Sequence, residues 1–130
     1  MSNRIKRILL VEDSKSDQLI SKFTINKYNE STEVTITFDG KEALEYLGSA
    51  NTPPDLILLD INMPGMDGLQ FLDHYSDKFK QKATVVVMLT SSNCLDEKDR
   101  CVAYDCVKDF ITKPLEVEDL LRLEKTLSLH

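Results

Sequence analysis

The chain has 130 residues, 42% hydrophobic and 29% charged, which suits one folded domain over residues 1–130 and excludes a disordered chain. Its 22 acidic against 16 basic residues leave a net charge of −6, which argues against direct nucleic-acid binding, since that needs a basic face. No run approaches the ~20 apolar residues of a membrane span. The start, Met1-Ser2-Asn3-Arg4, lacks signal-peptide architecture. Cys94, Cys101 and Cys106 fit neither disulfide nor zinc spacing, so reduced thiols in a cytoplasmic protein without membrane insertion are expected.

Residues 5–11 (IKRILLV) read as a strand. A helix follows over 14–28, with Ser14 as N-cap, Asp17 in the first turn favouring the dipole, and an apolar stripe of Leu19, Ile20 and Phe23 closed by the stem of Lys27. Residues 33–38 alternate, Val34, Ile36 and Phe38 against Thr35 and Thr37, as in a half-buried edge strand. Asp39-Gly40 turns into a short helix carrying Ala43, Leu44 and Leu47.

After Pro53-Pro54, the run 55–60 (DLILLD) suits a strand buried on both faces. The loop 63–68 (MPGMDG) leads into a helix over about 67–78 with Leu69, Leu72 and Tyr75. Residues 83–90 (ATVVVMLT) form the second fully buried strand, followed by a weaker helix over about 94–105. Residues 107–111 make a short edge strand, and 116–127 a last helix with Val117, Leu120, Leu121 and Leu127.

Five strands alternating with five helices imply an α/β fold. The expected architecture is a doubly wound five-stranded parallel sheet, flavodoxin-like (βα)5, with strand order 2-1-3-4-5. Sites in such sheets form outside the carboxyl ends of the strands. There the sequence puts Glu12-Asp13 after strand 1, Asp60 at the end of strand 3, Thr90-Ser91 after strand 4 and Lys113-Pro114 after strand 5.

Three carboxylates this close repel one another, at several kcal/mol per pair if poorly screened. Lys113 offsets one charge, and Mg²⁺, which binds through one or two carboxylates plus a phosphoryl group, offsets two more. Such a site suits phosphoryl transfer to a carboxylate, with Asp60 as nucleophile and Thr90 donating to the phosphoryl group once formed. Each residue also has a plainer reading. Glu12 and Asp13 can be loop acids, Asp60 an N-cap, Lys113 a solvated lysine, Thr90 and Ser91 helix caps, and Phe110 an edge aromatic. His74 and His130 stand alone and read as surface residues.

Taken together, Glu12-Asp13, the run from Asp60 to Gly68 (DINMPGMDG), Thr90-Ser91 and Phe110-Ile-Thr-Lys113-Pro114 resemble a response-regulator receiver domain of two-component signalling, similar to the single-domain chemotaxis type. The resemblance covers essentially the whole chain. It implies Asp60 as phosphoacceptor, and Glu12, Asp13, Asp60 and the backbone carbonyl of Asn62 as the Mg²⁺ site. It implies Thr90 and Phe110 as a switch pair, Lys113 as the phosphate-contacting lysine, and a cis Lys113-Pro114 bond. The implied partners are a sensor histidine kinase or histidine phosphotransfer protein, and a downstream target protein docking on the face made by the fourth helix, fifth strand and fifth helix.

No output domain is expected, and no enzymatic activity beyond the domain's part in its own phosphorylation and dephosphorylation. One departure from the family pattern is Cys106-Val107 where Gly-Ala is usual; a left-handed cysteine there costs roughly 1 kcal/mol, so a strained helix end is expected. Two other classes compete. A flavin mononucleotide carrier needs a Ser/Thr/Gly-rich loop after strand 1, where this chain has Glu12-Asp13. A haloacid-dehalogenase-like phosphatase wants a second carboxylate where Asn62 stands. A non-phosphorylated pseudo-receiver, a pure binding module, is opposed by the intact set of site residues.

Overall fold

A computed structural model describes residues 5–61, 68–78, 84–90, 104 and 106–128, without the side chains of Leu69, residues 76–78 and residues 127–128. The five strands are β1 (Arg7–Val11), β2 (Glu33–Thr37), β3 (Leu56–Asp60), β4 (Val85–Thr90) and β5 (Val107–Thr112). Among the described residues there are four helices: α1 (Lys15–Tyr28), α2 (Gly40–Ser49), α3 (Gly68–Lys78) and α4 (Val117–Ser128). The strands pair in parallel in the order β2-β1-β3-β4-β5, as the alternation of elements predicts. The weaker helix expected over 94–105, with Cys94 and Cys101, lies outside the described residues except for Tyr104, which sits in a bend; His130 also lies outside them, and His74 is exposed.

Every residue of β3 and β4 is buried, which follows from their unbroken apolar runs. Alternation within the strands divides the core in two. Ile8, Leu10, Leu58, Val87 and Leu89 pack with Ile25 of α1 and with Leu120 and Leu123 of α4. Leu9, Val11, Ile57, Leu59 and Met88 pack on the other face with Ala43 of α2 and with Phe71, Leu72 and Tyr75 of α3. Asp39 caps α2 by accepting from Glu42 N at 2.9 Å.

The apolar stripe expected to bury α1 faces outward instead. Leu19 is 69% exposed and Phe23 66%, with Ile20 also exposed, while Gln18, Ser21 and Ile25 turn inward. Polar anchors set this rotation. Gln18 Nε2 donates to Glu12 O at 2.7 Å, Thr24 Oγ1 donates to Leu115 O at 3.2 Å, and Ile5 N donates to Tyr28 OH at 2.9 Å. Lys27 does follow Phe23, its Nζ 5.7 Å from the ring centroid, but on the outer surface.

Three further expectations change. Phe38 lies just beyond β2 and is exposed, because the chain has already bent toward α2. In α4 it is Leu123 that is buried and Leu121 that is exposed, since the helix faces the core along Leu120 and Leu123. The left-handed conformation expected at Cys106 is not adopted, since no described residue other than glycine has positive φ, and the helix end before it lies outside the described residues. Cys106 instead packs against the α3-side core, and its carbonyl accepts from Val86 N at 3.0 Å.

Candidate functional site

The carboxyl ends of β1, β3, β4 and β5 bring the sequence-predicted residues to one edge of the sheet. Glu12 follows β1, where its N–H donates to Thr37 O at 3.0 Å. Asp60 is the last residue of β3 and buried. Thr90 ends β4, is buried, and accepts at its carbonyl from Lys113 N at 2.8 Å. The Lys113-Pro114 bond that follows β5 is cis. Asn62 and Ser91 lie outside the described residues.

Carboxylate oxygens of Glu12, Asp13 and Asp60 all lie within 4.8 Å of one another. Hard oxygen donors at this spacing, carrying three formal negative charges, fit a hard divalent cation such as Mg²⁺ or Mn²⁺. The usual zinc sites include histidine or cysteine among their ligands, whereas this cluster offers carboxylates alone.

Lys113 is the counter-charge. Its Nζ lies 2.6 Å from Glu12 Oε1, 2.9 Å from Asp17 Oδ2 and 3.3 Å from Asp60 Oδ2. Burial pushes the Glu12 carboxyl up to about 7, only partly offset by its contact with Lys113, while the neighbouring Asp60 pushes it further up. For Lys113, burial works to lower the pKa, but the carboxylates of Glu12, Asp17 and Asp60 outweigh it, so the ammonium is held above its usual range. A charged lysine is therefore present at any physiological pH.

Two features escape a reading of the sequence. Glu12 looks like a loop acid, yet it is fully buried, pinned by Ser14 N donating to its Oε2 at 3.2 Å. Asp17 looks like a first-turn acid of α1, yet it contacts Lys113, 96 residues away. A cleft of about 330 Å³ opens here, lined by Asp17, Ile20, Ser21, Lys113, Pro114 and Leu115.

Gly68 shapes the floor. Its N–H donates to Ile61 O at 2.9 Å, and a Cβ there would meet Ile61 Cα at 2.8 Å and Asp60 O at 2.9 Å. Only glycine lets α3 start this close to the backbone that carries Asp60. Phe110 stands on β5, half-buried against the α3-side core and paired with Met88. Met88 is two residues before Thr90, so Thr90 and Phe110 share one face of the sheet.

Comparison with known proteins agrees with this geometry. Residues 8–124 match the model of the response regulator receiver domain family. The response regulator Rcp1 of Synechocystis is 35% identical over 128 residues, covering 94% of this chain and 86% of that protein. A solved Mn²⁺-bound form of an Rcp1 response regulator is 30% identical, with a TM-score of 0.73, and the likeness covers 95% of this chain and 91% of that one. The crystal structure of a two-component response regulator from Cytophaga hutchinsonii superimposes with a TM-score of 0.88 at 26% identity, over 98% of this chain and 99% of that one. The phosphorylated cyanobacterial phytochrome response regulator RcpA gives a TM-score of 0.76 at 31% identity, over 95% of this chain and 91% of that one.

Proposed function

This chain belongs to the response regulator receiver domain family of two-component signalling, and from that premise we propose that it is a phosphorylation-dependent switch with Asp60 as phosphoacceptor. The single observation that carries this is the juxtaposition of buried Asp60 with Lys113 Nζ at 3.3 Å and with the carboxylates of Glu12 and Asp13. A carboxylate oxygen of Asp60 attacks the phosphorus of a phosphohistidine, the P–O bond forms as the P–N bond breaks, and the imidazole leaves with the electron pair and gains a proton. Lys113 neutralises charge on the phosphoryl oxygens. Glu12, Asp13 and Asp60 would hold Mg²⁺, with the Asn62 carbonyl as a further ligand, and the bound ion supplies two positive charges beside those oxygens.

The phosphodonor is a histidine kinase or histidine phosphotransfer protein. Exposed Leu19, Ile20 and Phe23 on α1 offer it an apolar surface, and Ile20 also lines the cleft at Lys113. Incubation with a small phosphodonor and Mg²⁺ is expected to add one phosphoryl group to the intact protein, and none to Asp60→Asn, as read by intact mass. A full shift in Asp60→Asn, or no shift in the parent, sinks the reading.

The output is a protein–protein contact on the face made by β5 and α4. A phosphoryl group on Asp60 adds a doubly charged cluster of acceptors, and Thr90 is the hydroxyl at the adjacent strand end. When it turns toward the phosphoryl group, Phe110 on the same sheet face gains room to move inward, and burial of an aromatic ring is worth a few kcal/mol. The ion pair between Arg122 Nη2 and Asp109 Oδ2, at 3.0 Å, links β5 to α4, which supports treating the two as one responding surface. Thr90→Ala is expected to accept phosphate yet lose most of the gain in target affinity. An equal response in parent and variant, measured with and without a beryllofluoride mimic, rules Thr90 out as the coupling residue.

A further inference from the structure

The contact between Asp17 and Lys113 has no part in phosphoryl transfer as described above. Lys113 Nζ meets three carboxylates: it donates to Asp17 at 2.9 Å and to Asp60 at 3.3 Å, and pairs by charge with Glu12 at 2.6 Å. Asp60, the group that must receive the phosphoryl, holds the longest of the three contacts. Asp17 draws the ammonium to the α1 side from a fixed point, because its own N–H is capped by Ser14 Oγ at the start of the helix.

A phosphoryl group on Asp60 brings new anionic oxygens that need the same ammonium. One existing partner must then yield its place beside the ammonium. Glu12 cannot do so cheaply, since its side chain is only 1% exposed and a buried charge stripped of its partner is costly. The Asp17 side chain is 36% exposed, so water can take over its solvation.

We propose that Asp17 is a positioning residue that competes with the phosphoryl group for Lys113 and so lowers the site's affinity for that group. The inference rests on the phosphoacceptor reading of Asp60. It makes Asp17, on the first turn of α1, a determinant of how strongly this receiver holds the phosphorylated state. A purely local role for Asp17, as an acid favouring the helix dipole, predicts loss of stability on its removal and no change at Lys113.

The test is calorimetric titration of beryllofluoride at saturating Mg²⁺, in the parent and in Asp17→Asn, Asp17→Ser and Asp17→Glu. Asp17→Asn and Asp17→Ser are expected to bind the mimic roughly three- to fivefold more tightly, the range for releasing a partly exposed ion pair. The gain should shrink as ionic strength rises. Asp17→Glu keeps the charge and is expected to stay within twofold of the parent. Unchanged or weaker binding in the two neutral variants, beside a parent that binds normally, overturns the competition alone. A parent that takes up no beryllofluoride overturns the phosphoacceptor reading and this inference with it.

Discussion

Replacing Lys113 by methionine is expected to destabilise the metal-free protein by about 3 kcal/mol at pH 8, within the range for breaking a buried pair. Methionine keeps most of the stem beside Pro114 and Leu115, so the loss is electrostatic rather than a cavity effect. Without the ammonium, buried Glu12 and Asp60 face each other and Asp13 with no counter-charge from another described residue. The loss should be smaller at pH 5, where Glu12, whose carboxyl is already pushed up to about 7, is neutral in the folded state. Mg²⁺ is expected to recover most of the loss at pH 8, because a cation bound only by the folded state stabilises it by mass action. Urea unfolding at the two pH values, with Mg²⁺ and with a chelator, reads all of this. A loss that is equal at both pH values and indifferent to Mg²⁺ removes the electrostatic account of the cluster.

The parts of this site that the sequence announces are those fixed by apolar runs. β3 and β4 are continuous hydrophobic stretches, so the polar residues that end them, Asp60 and Thr90, stand out and their location at the sheet's carboxyl edge follows. The order of the sheet follows from the same reading, since the most apolar strands must be central. What the sequence hides is rotation and long-range charge. The apolar pattern of α1 locates the helix correctly, but hydrogen bonds of Gln18, Thr24 and Tyr28 with backbone outside the helix decide which side faces in, and they leave Leu19 and Phe23 outside. A periodicity argument weighs hydrophobicity and has no term for such anchors. The same applies to Leu121 and Leu123 in α4. Asp17 has a sufficient local explanation as a first-turn acid, so nothing in the sequence points across 96 residues to Lys113. The burial of Glu12 is likewise set by the strands and helix that close over it rather than by its neighbours in the chain.

The metal-free protein is expected to lose stability as pH rises from about 4.5 to about 7, the reverse of the usual behaviour of paired carboxylates. Unfolded, Glu12 releases its proton near 4.5; folded, burial holds the proton until about 7. Between those values the folded chain binds more protons than the unfolded one, so stability falls with rising pH. Below 4.5 Glu12 is neutral in both states and costs nothing; above 7 it is charged in both, and the folded state carries the full penalty of about 3 kcal/mol. Lys113 does not blur this window, because its pKa is raised in the folded state and its contribution fades only above the ordinary lysine range. A cation binding the cluster requires the carboxylates ionised, so Mg²⁺ affinity should climb through pH 7 as the Glu12 proton is displaced. Melting temperatures across pH 5 to 8, with Mg²⁺ and with a chelator, should therefore diverge as pH rises. Glu12→Gln, which keeps the shape and removes the titration, should flatten the metal-free curve. Asp13→Asn should raise the metal-free melting temperature at pH 8 and abolish the Mg²⁺ shift. A metal-free curve that rises from pH 5 to 7 in the parent and persists unchanged in Glu12→Gln would show that Glu12 is not the buried acid on which the balance of this site turns.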